Sequence, residues 1–425
     1  MKQLTTFLLA ILLYLFPRLY AQDFWELMPF PDSLTITCLA VNQQGDIFVG
    51  TNTLTAYDGV FRSQDAGQTW ELVLDMGLYG PSSIAITDNG VIFVLGGGPG
   101  WYLTKSSDNG QTWESFSMPD YGGSVKIVVQ GEDTLYVSQW ASSGAMLLKS
   151  ENGGLDWEVV FTTENHVSEY ISDIAIAPNS DIFVSLDCFY PNMGGVYKAT
   201  DDGATWEFLG LLNHKVIAVE VNEQGDLFIG VRDNSLGIGW AIYAVYHDNP
   251  QMVECLDGPA VYDLAINSAG HIYASTGLGV MVSKDNGFTF DFENSGLPLG
   301  AKGELYCDTE DYIYALSGGA PSNIIYRTVE PTVGIKELSN FASSHNIQIA
   351  PNPVQGLFQG RFNGNIPDGT YAYTISGLSG NNIVEGSLML SQNSFSIDIS
   401  FLPPGFYLLK VNCDGFVYTS KIIKT

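Results

Sequence analysis

The sequence predicts an all-β chain: a seven-bladed β-propeller closed by its own N-terminal strand, followed by a small immunoglobulin-like β-sandwich. Three observations carry this expectation. A strand–turn–strand phrase recurs seven times at near-constant spacing, a second turn phrase follows it in five repeats, and both stop near Glu330, where alternating strands of another pattern begin. Composition agrees, with 46 Gly, 12% aromatic residues and only 15% charged residues, and no stretch shows helical periodicity.

The chain opens on a leader. Residues 1–21 carry Lys2, an apolar run from Phe7 to Phe16 and "RLYA" before Gln22. That pattern predicts a secretory signal peptide cut after Ala21. The run is too short for a membrane anchor, which needs about 20 apolar residues, and no Cys follows the cut, so no lipoprotein and no transmembrane segment are expected. The remainder divides into a propeller over 22–331, a polar linker over 332–346 and a terminal module over 347–425.

The first phrase reads "CLAVNQQGDIFVG", "SIAITDNGVIFVL", "KIVVQGEDTLYVS", "DIAIAPNSDIFVS", "AVEVNEQGDLFIG", "DLAINSAGHIYAS" and "ELYCDTEDYIYAL". Its anchor aromatics, Phe48, Phe93, Tyr136, Phe183, Phe228, Tyr273 and Tyr314, stand 45, 43, 47, 45, 45 and 41 residues apart. Short strands at such a period suit four-stranded propeller blades.

The second phrase reads "SQDAGQTW", "SSDNGQTW", "SENGGLDW", "ATDDGATW" and "SKDNGFTF". It resembles the Asp-box, or bacterial-neuraminidase repeat, S-x-D-x-G-x-T-W of the sialidase-like superfamily. The chemistry is that of a turn: Ser and Asp accept backbone N–H bonds, Gly supplies positive φ, and Trp wedges between sheets. Ser63, Asp65, Gly67 and Trp70 are therefore structural. So are Ser106, Asp108, Gly110 and Trp113; Asp201, Gly203 and Trp206; and Ser283, Asp285 and Gly287.

The seventh repeat never supplies its outer strand. "DFWELM" does: Trp25-Glu26-Leu27 matches Trp70-Glu71-Leu72, and Trp25 precedes Phe48 by the same 23 residues that separate Trp70 from Phe93. The first strand is thus expected to complete blade seven against "NIIYR", with Trp25 beside Tyr326, so that the ring has no open end.

A blade is a meander, so alternate connections lie on opposite faces. The Gly/Asn turns and Asp-boxes share the bottom. The top loops carry Trp101, Tyr102, Trp140, Tyr190 and Trp240 among many glycines, with Arg232 as the one top-face arginine. Such rings stack on sugar faces or peptide side chains; the alternative is that they pack on blade edges. Ten residues before each anchor stand Cys38, Ser83, Lys126, Asp173, Ala218, Asp263 and Glu304, expected to rim the central channel. Asp173, Asp263 and Glu304 are the weak catalytic candidates, as carboxylates with shifted pKa values would serve a glycosidase.

The charge of −29, from 17 Lys and Arg against 46 Asp and Glu, argues against nucleic acid and anionic membranes. Five cysteines (Cys38, Cys188, Cys255, Cys307, Cys413) are too scattered for a metal site or a disulfide framework, and the five histidines form no metal pattern. No cofactor and no metal are expected. Sialidases grip the substrate carboxylate with three arginines. Past the leader this chain has Arg62, Arg232, Arg327 and Arg361, of which only Arg232 is on the top face, so sialidase activity is excluded.

From "IQIAPNPVQG" onward the chain resembles the type A C-terminal sorting domain read by the type IX secretion system of Bacteroidota. Pro351, Asn352 and Pro353, the "LPPGFYLLKV" strand with Gly405, Tyr407 and Lys410, and the terminal "YTSKIIK" with Lys421 and Lys424 carry the likeness. Alternating strands imply the sandwich. The resemblance implies export to the outer-membrane surface of a Gram-negative bacterium or beyond, with the secretion machinery and its sortase as partners. The expected function is a secreted, non-catalytic binding module for an extracellular glycan or surface protein. The alternatives are a glycoside hydrolase or lyase, or an envelope scaffold for partner proteins.

Overall fold

The structure is a computed structural model. It describes residues 23–31, 34–53, 58–96, 102–119, 122–141, 144–163, 169–188, 193–233, 241–298, 303–316, 324–333, 347–350, 354–362, 366–377, 382–391, 393–403, 405–413 and 416–424. Residues 1–22, with the expected signal peptide, and residues 334–346 of the expected linker lie outside them.

The described residues form strands without a helix. After β1 (Trp25–Met28), the first complete sheet contains β2 (Ile36–Val41), β3 (Ile47–Thr51), β4 (Asp58–Ser63) and β5 (Glu71–Gly77). The second contains β6 (Pro81–Ile86), β7 (Ile92–Gly96), β8 (Tyr102–Ser106) and β9 (Glu114–Ser117). The third contains β10 (Gly123–Gln130), β11 (Thr134–Ala141), β12 (Gly144–Ser150) and β13 (Glu158–Thr162). The fourth contains β14 (Glu169–Ile176), β15 (Ile182–Cys188), β16 (Gly195–Ala199) and β17 (Glu207–Gly210). The fifth contains β18 (Lys215–Val221), β19 (Leu227–Asp233), β20 (Ala241–Tyr246) and β21 (Asn249–Asp257). The sixth contains β22 (Val261–Ile266), β23 (Ile272–Thr276), β24 (Gly279–Ser283) and β25 (Asp291–Phe292). The seventh has β26 (Leu305–Cys307), β27 (Ile313–Leu316), β28 (Ile325–Thr328) and, outermost, β1. The first six are antiparallel meanders, and the seventh is an antiparallel meander of three strands completed by β1.

The register of β1 differs by two residues from the sequence expectation. Trp25 faces Thr328, and it is Leu27 that faces Tyr326. The placement of the strand is unchanged: Trp25 and Tyr326 share one apolar cluster, and Arg327 pairs with Glu26 across β1–β28.

Seven apolar clusters lie between the sheets. Phe48 packs with Ile84, Ile92 and Val94, and Phe93 with Ile127 and Val137. Tyr136 packs with Ile171 and Val184, and Phe183 with Val216 and Ile229. Phe228 packs with Val261 and Leu264, and Tyr273 with Leu305 and Ile313. The last cluster joins Tyr314, Leu316 and Ile325 to Leu39 and Val49 of the first sheet. Each anchor aromatic thus fills the seam to the following blade, which is why an aromatic recurs at that position. Burying one is worth about 1.5–3 kcal/mol.

The terminal module is a second unit. Strands β29 (Ile347–Ala350), β30 (Leu357–Phe362) and β33 (Ser394–Asp398) form one sheet. Strands β31 (Gly369–Gly377), β32 (Asn382–Leu390), β34 (Gly405–Cys413) and β35 (Phe416–Lys424) form the other. Phe358, Phe362, Ile375, Leu409 and Ile422 share its core.

Candidate binding face and central channel

The Ser-x-Asp-x-Gly turns are built as their chemistry predicts. Ser63 Oγ donates to Asp65 Oδ1 at 2.9 Å and accepts the Gly67 N–H at 2.8 Å. Asp65 in turn accepts the backbone N–H and the hydroxyl of Thr69. The same bonds recur at Ser106, Asp108 and Gly110 and at Ser283, Asp285 and Gly287. The fourth blade has Ala199 in place of Ser and keeps the Asp201–Thr205 pair. These bonds hold the carboxyls of Asp65, Asp108 and Asp201 below the usual value, Asp108 at about 2. All four acids are committed to turns.

Three of the turns also tie their blades to preceding chain through the tryptophan. Trp113 Nε1–H donates to Val73 O at 2.9 Å, Trp206 Nε1–H to Val160 O at 2.8 Å, and Trp70 Nε1–H to Pro29 O at 2.8 Å. Gly67, Gly110, Gly203 and Gly287 are left-handed, and so is the residue before each. In three blades that residue is Asn or Asp, and it reaches the neighbouring blade: Asn109 to Asp46 and Asn286 to Asp226 at 2.6 and 2.7 Å, and Asp202 to Lys149 and Tyr136. This second tie could have been read from the Asn-Gly and Asp-Gly dipeptides.

On the top face, Trp101, Tyr190 and Trp240 lie outside the described residues. Tyr102 opens β8 at 42% exposure, and Trp140, next to the last residue of β11, is 53% exposed. The Trp140 indole rests on the backbone of Gly123, where a Cβ would run into Nε1. One edge of the ring is therefore packed and the remainder is open. Leu78, Tyr79, Leu212 and Leu278 are also exposed in top connections, whereas Leu155 is the exposed large apolar residue in a bottom turn. Arg232 is half-exposed and bonds Asp187 at 3.2 Å; Asp187 also accepts the Tyr170 hydroxyl at 2.6 Å. Arg232 is thus a top-face cation held across the seam between blades four and five.

The axial channel has a volume of about 720 Å³, and Cys38, Ser83, Lys126, Asp173, Asp263 and Glu304 line it. Ala218 is buried at the equivalent position. A register irregularity sits immediately before this level in β2, β6, β14, β18 and β22, and spans it in β10. Bulges re-aim side chains, and here they turn this position toward the next inner strand. Ser83 Oγ accepts Ile127 N–H at 3.3 Å, Asp173 Oδ2 accepts Val219 N–H at 3.1 Å, and Asp263 Oδ2 accepts Leu305 N–H at 2.7 Å.

The channel acids converge on one cation. Lys126 Nζ lies 3.0 Å from Asp173 Oδ1. The charge of Asp173, followed by those of Asp263 and Glu304, holds the ammonium above its usual value against the cost of burial. Burial raises the Asp263 and Glu304 carboxyls, and the charge of Asp173 adds to both shifts. Glu220 is a fourth channel acid, pushed up to about 8 by burial and then by Asp173. The sequence offered a signal for it. The position two residues beyond the ring level holds Ala40, Ala85, Val128, Ala175, Ala265 and Tyr306 in the other blades. Burial pushes the Cys38 thiol up to about 12, which makes it inert.

In the sandwich, Tyr407 is buried and donates to Pro403 O at 2.8 Å. Gly405 pairs with Lys424 and Leu408 with Lys421 across β34–β35, while Lys410 is exposed. Pro351, Asn352 and Pro353 lie outside the described residues.

A ring of four-stranded sheets around a channel, joined in sequence to a two-sheet tail, defines a β-propeller protein with a separate C-terminal module. That module, residues 348–425, matches the family of secretion-system C-terminal sorting domains and marks the chain for export by type IX secretion to the cell surface or outside. No curated protein matches the chain. Among solved structures it is similar to YCF48 bound to D1 peptide, at 18% identity and TM-score 0.55, covering 72% of this chain and 97% of that one. It is also similar to YCF48 from Cyanidioschyzon merolae, at 15% identity and TM-score 0.54, covering 72% and 98%. A third is the GH74 enzyme from Niastella koreensis, at 14% identity and TM-score 0.56, covering 94% and 74%. Likeness at this level is likeness of fold, and no helix among the described residues is long and apolar enough to cross a membrane.

Proposed function

We propose that the chain is an exported, non-catalytic binding propeller that takes an extracellular glycan or protein on its top face. The observation that carries this reading is the concentration of open aromatic and apolar side chains there: Tyr79, Tyr102 and Trp140, with Leu78, Leu212 and Leu278. Exposed apolar groups gathered on one face mark interaction sites, and rigid aromatic rings bind at low entropic cost. Commitment of the repeat acids to turns, and of Asp173 and Asp263 to backbone N–H groups, further supports a binding role. One structural neighbour is described as bound to a peptide, which suits the protein version.

The test is binding of the exported protein to a glycan array and to surface proteins, with Trp140→Ala and Tyr102→Ala alongside. The reading expects a ligand whose retention falls at least about tenfold in the double variant, the cost of roughly 1.4 kcal/mol of contact. Retention unchanged in the variant contradicts it.

A second reading, a glycoside hydrolase or lyase, is favoured by the gathering of Asp173, Asp263 and Glu304 in one channel with two raised carboxyls. It expects turnover of a polysaccharide that Asp263→Asn and Glu304→Gln abolish. Absence of turnover across a broad panel removes it.

A further inference from the structure

Four residues past each anchor aromatic, at the top of the second strand, the blades differ in a way the turns do not. Blade one has Asn52, blades two, six and seven have glycine, and blades three, four and five have Trp140, Asp187 and Arg232. Asn52 lines the channel, so this level borders its upper mouth. Asp187 is 1% exposed. Its Oδ2 accepts the Tyr170 hydroxyl and one Arg232 nitrogen, Nη2, while Oδ1 is buried and has no hydrogen-bond partner among the described residues. A guanidinium and a carboxylate can pair through two parallel bonds. The unbonded Oδ1 means that Asp187 holds Arg232 through one nitrogen and leaves the rest of the fork uncommitted, on a side chain that is 39% exposed.

The described cations of the propeller sort by face. Arg62, Lys105, Lys149, Lys198 and Arg327 each stand next to the last residue of a third strand, at the bottom, and Lys284 lies in a bottom turn. Lys126 in the channel, Lys215 at the start of β18 and Arg232 near the end of β19 belong to blades three and five. In a chain of net charge −29, these blades are where the top face meets an anion at least cost. Trp140, on blade three, adds an open ring face. Stacked sheets pack about 10 Å apart. Trp140 and Arg232, two seams apart, are therefore separated by roughly 15–20 Å, and a ligand that meets both is an oligomer.

We propose that the top face over blades three to five binds an acidic glycan, with one sugar ring stacked on Trp140 and a uronate carboxylate accepting hydrogen bonds from the uncommitted edge of Arg232. This deepens the binding reading above and rests on it. Asp187 and Tyr170 are positioning residues, which aim the guanidinium without consuming its fork. A flat indole suits the apolar face of a pyranose. An acidic oligosaccharide repeats ring and carboxylate along a stiff chain, so it meets both groups without the ordering cost that a flexible acidic peptide incurs.

The experiment is titration calorimetry on the full exported chain with pentagalacturonate and pentamannuronate, with the methyl ester of each as the uncharged control, and with a penta-aspartate peptide blocked at both ends. The proposal expects at least one uronide to bind and its ester to bind at least about tenfold more weakly. Arg232→Gln is expected to lower affinity for the acid at least about tenfold and to leave the ester unchanged, a split that a merely structural loss would not give. Trp140→Ala is expected to weaken both forms. The comparison of acid with ester uses the unaltered protein, so it stands even where Arg232→Gln fails to fold. No binding of either uronide at millimolar concentration, equal binding of acid and ester, undiminished acid binding in Arg232→Gln, or binding of the peptide alone overturns the proposal. Binding of a neutral glycan or a surface protein that depends on Trp140, with no preference for the acid form, overturns this proposal and leaves the top-face reading standing. Loss of every Trp140-dependent ligand removes both.

Discussion

The Trp25 indole donates to the carbonyl oxygen of Glu293 at 2.7 Å, joining residues 268 positions apart in the chain. This is the bond that Trp113 makes to Val73 and Trp206 to Val160, each reaching back to the preceding blade. Trp25 therefore serves as the tryptophan of the seventh blade, while Trp70 reaches back to Pro29 beyond β1. A strand at the start of the chain carries both halves of the seam chemistry at its end.

Truncating this residue tests that role. Trp25 is 1% exposed, whereas Leu27, two residues on, is 60% exposed. Trp25→Ala is expected to cost about 3–5 kcal/mol and Leu27→Ala less than about 0.5 kcal/mol, both read from urea unfolding. Equal effects would mean that β1 packs elsewhere.

Acid behaviour follows from the turn carboxylates. The folded pKa of Asp108 is about 2, below its unfolded value near 3.9. Its contribution is therefore complete above about pH 4 and is lost as pH falls through about 2. Melting temperatures of wild type and Asp108→Asn between pH 6 and pH 2 are expected to differ at the upper end and to converge at the lower. A constant gap would contradict the account.

Glu220 has the opposite sign. Its folded pKa, about 8, lies above its unfolded value, so the folded state binds the extra proton and stability falls as pH rises from about 4.5 to 8. Glu220→Gln is expected to match wild type near pH 4 and to exceed it at pH 9. Wild type being the more stable at pH 9 would show that a cation of the protein itself already pairs this acid.

Gly123 supports Trp140 through the absence of a side chain. Gly123→Ala is expected to displace the indole, shifting its fluorescence and weakening top-face binding in step with Trp140→Ala, with the far-UV spectrum unchanged. An unmoved emission maximum would place the ring elsewhere.

Much of this architecture was legible because it repeats. Phe48 and its six counterparts mark blade seams, and Ser63, Asp65 and Gly67 mark turns, since one local chemistry is required at every period. The ring level was reachable by counting back from the anchors, which found Lys126, Asp173, Asp263 and Glu304. The bonds those residues make were not legible, because they depend on a bulge whose position no single residue type announces. Glu220 was missed because counting one level of the channel says nothing about the next. The two-residue offset of Trp25 from Tyr326 arose because matching repeats fixes which strands pair, while the register within a pair depends on the turns that precede it.

Hydrogen exchange tests ring closure most directly. Strand β1 pairs with β28 from Trp25↔Thr328 to Met28↔Ile325, and the Trp25 amide donates to Ser295 O at 2.9 Å, so the bonded amides of β1 are expected to exchange with those of Ile325–Thr328, at the slow rate of the seventh blade. Rapid exchange of the N-terminal four while 325–328 stay protected would contradict closure of the propeller by its first strand.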